Sequence, residues 1–170
     1  KKIKLKLLKN SLFELMELSW DDIYRRVTKE FRFYNSEDKV LLAVTITIKE
    51  LSIDKVVFER FFNSMLMDLQ NLEYKNMNNL EVYMDGSAAV VGEIMLKIMD
   101  YDNKNGVNNY EIVDNNYTGN EFNKLFPYCR SLGIAMQLTN FLRDIKEDLD
   151  MNPSRIYMTT NDLTTFNIDL

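Results

Sequence analysis

Leu132 to Phe166 reads LGIAMQLTNFLRDIKEDLDMNPSRIYMTTNDLTTF. Its polar members Gln137, Asn140, Arg143, Asp144, Glu147 and Asp148 recur at three-and-four spacing, so they share one face of a helix. Ile134, Leu138, Leu142, Ile145 and Leu149 fall on other faces and are apolar, as in a helix packed within a domain. This spacing predicts a single helix from about Glu121 to Asp150. Asn152-Pro153 ends it, because the residue before a proline disfavours the α region. Ion pairing on a solvated surface would explain an acidic stripe of this kind. Two details argue for more. Gln137 and Asn140 carry the stripe two turns into the apolar half of the helix, where solvent exposure is not an evident purpose. Asp144 and Asp148 lie one turn apart, which brings their Cβ atoms to about 5–6 Å, close enough to share divalent cations.

Composition supports the same fold class. The chain has 170 residues, 46% of them hydrophobic, with five Gly and two Pro. That is enough apolar material for one sizeable core and too few turn formers for many short strands, so one all-α domain spanning residues 1–170 is expected. A net charge of -5 and a pI near 4.9 argue against nucleic acid, which is bound by excess Lys and Arg, and suit a cation instead. The chain has no histidine, so a metal would be held by oxygen, which favours Mg2+ or Mn2+ over zinc. Cys129 stands alone, which excludes an intrachain disulfide and fits a reducing, cytoplasmic setting and a packing role.

Upstream, KKIKLKLLKN lacks the apolar core of a signal peptide and reads as the charged face of a helix running from about Leu5 to Leu18. Ser19 with Asp21 and Asp22 suits the start of a second helix to about Phe33, a capping role rather than a metal site. SEDKVLLAVTITIKEL contains a β-branched alternating run, Val44 to Ile48, that would suit a strand, and it is read as a helix. After Asp54, Val57, Phe58, Phe61, Phe62, Met65, Leu66 and Leu69 define an amphipathic helix. An Asn-rich turn at Asn76 to Asn79 precedes a long helix through Met99, whose charges Asp85, Glu93 and Lys97 disqualify it as a membrane span. A polar loop is expected from Asp100 to Asn120. DYDNKNG within it resembles a calcium loop, but Tyr101 and Ile112 occupy ligand positions, and the sequon at Asn116 is set aside as chance.

The stretch Leu132 to Phe166 resembles the second aspartate-rich signature of squalene and phytoene synthases, roughly LGxAxQLTNxLRDxxEDxxxxRxYLPxxDLxxFG. Thr159 stands where that signature usually has proline, and Asn167 where it has glycine. YMDGSAAVVGEIML, Tyr83 to Leu96, is similar to the family's other signature, commonly YCYxVAGxVGxxxL, in a form closer to bacterial and archaeal phytoene synthases. Ala89 replaces a frequent glycine there and Asp85 a frequent tyrosine; MLMDLQNLEY, with Asp68, resembles the segment before it. The resemblance runs from about Asp54 to Leu170. It implies the all-α isoprenoid synthase bundle, in part only. No segment before Asp54 resembles the family's first aspartate-rich motif, and the family continues for several helices beyond Leu170. The chain alone is therefore expected to be catalytically incompetent.

What the resemblance implies chemically is a prenyltransferase of carotenoid biosynthesis. It would join two geranylgeranyl diphosphates head to head through a cyclopropyl diphosphate, with magnesium at the leaving group. By matched position, Asn140, Asp144 and Asp148 would be metal-linked, Gln137 and Arg143 would contact the diphosphate, and Tyr83 would line the reaction centre. Glu147 is a less secure neighbour, and Arg155 and Tyr157 would anchor the following turn. The small residues Ser87, Ala88 and Gly92, with Gly86 and Ala89, would permit close helix approach or wall the cavity for the prenyl tail. The alternatives are a squalene or dehydrosqualene synthase acting on farnesyl diphosphate, and a non-catalytic scaffold member of the family. Greasy substrates make peripheral membrane contact compatible with this reading. The sequence leaves the oligomeric state open.

Overall fold

The computed structural model describes residues 1–30, 34–70, 73–105 and 119–169, with only the backbone described for 101–105 and 119–122. Nine α-helices and no strand occur among these residues. None of the helices is long and apolar enough to cross a membrane. The chain divides into two compact units, Lys1–Lys55 and Val56–Leu170.

The first unit holds α1 (Lys2–Met16), α2 (Trp20–Arg25), a π-helical turn at Arg26–Glu30, and α3 (Ser36–Glu50). Its interior is Leu12, Ile23, Leu42, Ile48 and Ile53. The cap read from the sequence at Ser19 is present: its hydroxyl accepts from the Asp22 amide and donates to the Asp22 carboxylate. The β-branched run is helical. Leu42, Thr45 and Ile48 lie on the buried face, and the Thr45 and Thr47 hydroxyls donate to the carbonyls one turn back, at 2.8 and 3.2 Å. Burial of that face outweighs the few tenths of a kcal/mol by which β-branched residues disfavour helix. Beyond α3, Ser52 takes the left-handed conformation (φ 50°) and the Ile53 amide bonds the Ile48 carbonyl at 2.9 Å. The pattern is a Schellman stop, with Ile48 and Ile53 as its buried apolar pair.

The second unit is built on α4 (Lys55–Asp68), which starts at the boundary and buries Val57 and Phe62, and continues through α9. The long helix expected from Asn79 to Met99 is two helices, α5 (Met77–Met84) and α6 (Val90–Asn105), joined by one π-helical turn, Asp85–Ala89. Asn76 caps α5 through the Asn79 amide, and α6 runs beyond Met99. Gly106, which makes DYDNKNG look like a calcium loop, and the sequon at Asn116 lie outside the described residues. Likewise, the helix expected over Glu121 to Asp150 is two: α7 (Gly119–Arg143) and α8 (Ile145–Asp150), with Asp144 bent between them at φ -99°, ψ 8°. Hydrogen bonding crosses the bend, since Asp144 N–H reaches Asn140 O and Asp148 N–H reaches Asp144 O, both at 2.9 Å.

Departures from the family signature have local reasons. Thr159, in place of proline, is the N-cap of α9 (Thr160–Thr165), accepting from the Asp162 amide at 3.1 Å. Asn167, in place of glycine, sits at φ 54° just after α9. Asparagine is the next-best residue for that left-handed position. Asp85, in place of tyrosine, joins a four-charge knot. The Arg60 guanidinium donates to Glu93 at 2.6 and 2.7 Å and lies 3.4 Å from Asp85, while Arg130 pairs with both carboxylates. Two cations meet two carboxylates, so the 3%-exposed Glu93 is neutralised.

The glycines set how near the helices come. A Cβ on Gly86 would fall 2.1 Å from the Arg60 carbonyl oxygen of α4, one on Gly92 2.1 Å from the Cys129 carbonyl oxygen of α7, and one on Gly133 2.5 Å from the Ala88 carbonyl oxygen. All three obstacles are backbone. In an open helix, alanine would gain about 1 kcal/mol over glycine; here the overlap dominates, and Gly92→Ala should destabilise the fold by about 1–3 kcal/mol. Thermal unfolding of that variant checks this, and an unchanged or raised Tm would contradict the close approach.

Candidate functional site

On α7 and α8, Gln137, Asn140, Asp144 and Asp148 are half-buried, and Arg143 and Glu147 are exposed. The structure thus separates the stripe into an inner row and an outer pair. Arg143 grips Asp144 with two hydrogen bonds of 2.6 Å each. That grip holds the Asp144 carboxyl below the usual carboxylate range and raises the Arg143 guanidinium. Asp148 behaves oppositely. Desolvation, and after it the charge of Asp144, push its carboxyl up, with Asp68 and Glu147 adding to the effect and Arg155 opposing it.

Among the described residues, no group of three or more carboxylates or thiolates gathers closely enough to hold a metal ion unaided. The inner row nonetheless has the donor chemistry that would suit a hard divalent cation. It offers hard oxygen donors on successive turns, and the Asp148 carboxyl is raised first by desolvation and then by the Asp144 charge, so a cation beside it would favour its ionised form.

Next to this row lies an aromatic cluster. Tyr74, Leu80, Tyr83, Met84 and Phe141 are buried together, with Ile134, Leu138 and Tyr157 packed against them. Phe141 and Tyr157 stack at 4.5 Å with planes 7° apart, and Tyr157 stacks on Tyr83 at 5.4 Å. Phe141 follows Asn140 on α7, so that this helix contributes one ring and the two amides of the row, while Asp144 lies at the bend and Asp148 on α8. The chain after α8 is held by the Arg155 amide on the Asp148 carbonyl at 2.8 Å, and α9 is docked by the Thr160 and Asn161 amides on the Tyr74 and Lys75 carbonyls at 2.9 and 3.1 Å.

The polar centre of the rings is Asp68, at the end of α4. One of its oxygens accepts from the Tyr83 hydroxyl at 3.1 Å and the other from the Tyr157 hydroxyl at 2.9 Å. Burial, followed by the Asp68 charge, drives the Tyr83 phenol far above its ordinary value; the Tyr157 phenol is pushed up to about 12, mainly by burial. Both phenols therefore stay protonated at any physiological pH. A cavity of about 150 Å³, lined by Asp68, Glu73, Tyr74, Arg155 and Tyr157 among others, opens beside them. Small-molecule sites run to about 300–1,000 Å³, so this space does not by itself take a prenyl chain.

The structure places the remaining predicted residues as follows. Ala88 is 5% exposed, and its carbonyl faces Gly133. Gly92 backs onto Cys129, itself half-buried. Ser87 is half-buried, with its hydroxyl shielded from solvent and without a hydrogen-bond partner. Tyr157, expected to anchor a turn, is instead part of the ring cluster and a partner of Asp68. The knot of Arg60, Asp85, Glu93 and Arg130 was not visible in the sequence, since its members come from three separated segments.

Comparison with known proteins agrees with the motifs. The family described as squalene/phytoene synthase matches residues 14–170, further upstream than the signatures reach. The chain is 30% identical over 131 residues to 15-cis-phytoene synthase of Synechocystis sp., covering 77% of this chain and 36% of that protein. It is 29% identical over 126 residues to the chloroplastic phytoene synthase of an Oncidium hybrid, covering 74% and 27% respectively. It is 25% identical over 136 residues to the phytoene synthase of Mycobacterium tuberculosis, covering 80% and 38%. The chain thus spans roughly a third of the length of the curated relatives it matches, 27–38% in these three. No solved structure matches it significantly. With the helical architecture, both signatures and a family match over most of its length, the chain belongs to the squalene/phytoene synthase family.

Proposed function

We propose that the protein carrying this chain condenses two geranylgeranyl diphosphates head to head, and that this chain supplies the second aspartate-rich side of the site. The observation that carries the reading is the half-buried row Gln137, Asn140, Asp144 and Asp148, set against the rings of Tyr83, Phe141 and Tyr157. An anionic leaving group needs cations and donors. An allylic cation needs electron-rich, dry surroundings. The two features adjoin where Phe141 of the ring cluster follows Asn140 on α7, with Asp144 at the bend after that helix and Asp148 on α8.

In this reading Asn140, Asp144 and Asp148 hold magnesium, which when bound neutralises charge on the departing diphosphate. Gln137 donates to a diphosphate oxygen. Arg143, exposed and already paired with Asp144, can turn its guanidinium to the diphosphate once that carboxylate has a cation for a partner. The rings of Tyr83 and its neighbours present negative faces toward positive charge and keep water away. The family comparisons, in which all three relatives named above are phytoene synthases, favour the longer substrate.

Two outcomes are expected in the complete protein. Asp144→Asn should abolish turnover while leaving the helical circular dichroism spectrum and Tm intact, and full activity in that variant would sink the metal role. Asp148→Asn should have the opposite balance of stability and function. A carboxyl whose folded value is raised favours the neutral form, so it costs nothing at about pH 3 and destabilises once pH rises through that value. Without metal, therefore, Asp148→Asn should unfold at the same or a higher temperature than the wild type at neutral pH, with the gap closing at acid pH. A lower Tm at neutral pH would show that this carboxylate stabilises the fold.

A further inference from the structure

The ring cluster contains a carboxylate that the metal reading does not use. Asp68 ends α4, Tyr83 belongs to α5, and Tyr157 follows the turn after α8. Two other segments therefore converge on the Asp68 side chain, each phenol reaching a different carboxylate oxygen. Both bonds are charge-assisted, which makes them stronger and more directional than phenol–water bonds. A hydroxyl has one proton: Tyr157 gives its own to Asp68, and Tyr83 shares its own between Asp68 and the neighbouring Tyr157 oxygen, so neither proton is left for a third partner. The lone pairs of the Tyr83 and Tyr157 oxygens are consequently what these side chains turn to anything else nearby. The Asp68 charge also reaches the neighbouring row, being one of the charges that push the Asp148 carboxyl up.

We infer that Asp68 is a positioning residue for the reaction. It fixes the direction of the Tyr83 and Tyr157 hydroxyl protons, so that the two phenols meet the allylic cation as oxygen-rich, non-donating groups. The inference rests on the function proposed above. Its physical content is preorganisation: dipoles aimed before the charge develops need no reorientation when it does. A phenol free to rotate would offer its proton to the diphosphate or to water as readily as its lone pairs to the cation. The Asp68 carboxylate removes that choice. The same two bonds hold the ring of Tyr83 against Tyr157 at 5.4 Å, so ring placement and proton direction are set together.

The discriminating substitution is Asp68→Asn, which keeps the shape of the side chain. Its carbonyl oxygen still accepts from one phenol, but its amide must donate to the other and reverse that hydroxyl. In the complete protein with magnesium and geranylgeranyl diphosphate, kcat should fall by about tenfold or more while KM stays within about threefold and Tm barely moves. Tyr83→Phe should show the same kcat loss, and the double variant should be no worse than either single one. A kcat within twofold of the wild type, or losses that multiply in the double variant, would overturn the proposal. An arm that needs no activity separates this from the functional reading. In proton NMR of the wild type, the Tyr83 and Tyr157 hydroxyl protons should be slowly exchanging, and Asp68→Asn should shift both. Unchanged resonances would overturn the positioning of the phenols even if the wild type turns over; absence of product from the wild type would count against the functional reading and leave these resonances to decide the geometry.

Discussion

Where α7 crosses α6 and the π-helical turn before it, the backbones touch without side chains between them. The missing Cβ of Gly92 would sit 2.1 Å from the Cys129 carbonyl oxygen, and that of Gly133 2.5 Å from the Ala88 carbonyl oxygen. Approach at this distance is open only to residues lacking a Cβ. It brings Tyr83, just before the π-helical turn, beside Phe141, one position beyond Asn140 on α7, with ring centroids 6.2 Å apart. The carboxylate row and the aromatic cluster are neighbours because these helices can come this near.

Such contact leaves backbone and charge to be satisfied elsewhere. The Ser64 hydroxyl of α4 donates to the Tyr83 carbonyl at 2.8 Å, next to the π-helical turn where the helical ladder changes register. Arg60 of the same helix and Arg130 of α7 meet Asp85 and Glu93 from the α5–α6 segment. A buried carboxylate such as Glu93 would be costly alone, and breaking such a pair by removing one partner typically costs about 3–5 kcal/mol. The knot thus ties α4 and α7 to the segment that carries Tyr83. Asp68, two turns beyond Arg60 on α4, ties the same helix to the hydroxyls.

Much of this was legible in the sequence, for identifiable reasons. The three-and-four spacing from Gln137 to Asp148 reports helix phase, but of the six residues it puts on one face Arg143 and Glu147 are exposed while Gln137, Asn140, Asp144 and Asp148 are half-buried. Ser19 caps α2 as its residue type suggests, whereas Asn76, read as part of a turn, proves to be the cap of α5. The bend at Asp144 and the π-helical turn at Asp85–Ala89 were not legible, because periodicity registers a helix but not a local change of its hydrogen bonding. Asp68 was visible only as part of a similar segment. Its partners Tyr83 and Tyr157 lie 15 and 89 residues away, and nothing local in the chain signals a hydrogen bond over such separations. Gly92 illustrates a reading that stayed double, since a small residue serves close approach and cavity space equally well on sequence grounds. The Cys129 carbonyl behind it supplies the approach.

The proposed reaction needs a ring-lined centre shielded from water beside a row that would hold metal and diphosphate. The most direct test is the product formed by the complete protein with magnesium and, in separate reactions, geranylgeranyl or farnesyl diphosphate. Conversion of geranylgeranyl diphosphate to a forty-carbon hydrocarbon, lost when magnesium is chelated, is the predicted result. A thirty-carbon product from farnesyl diphosphate alone would contradict the substrate assigned here, and no product from either would contradict the catalytic reading itself.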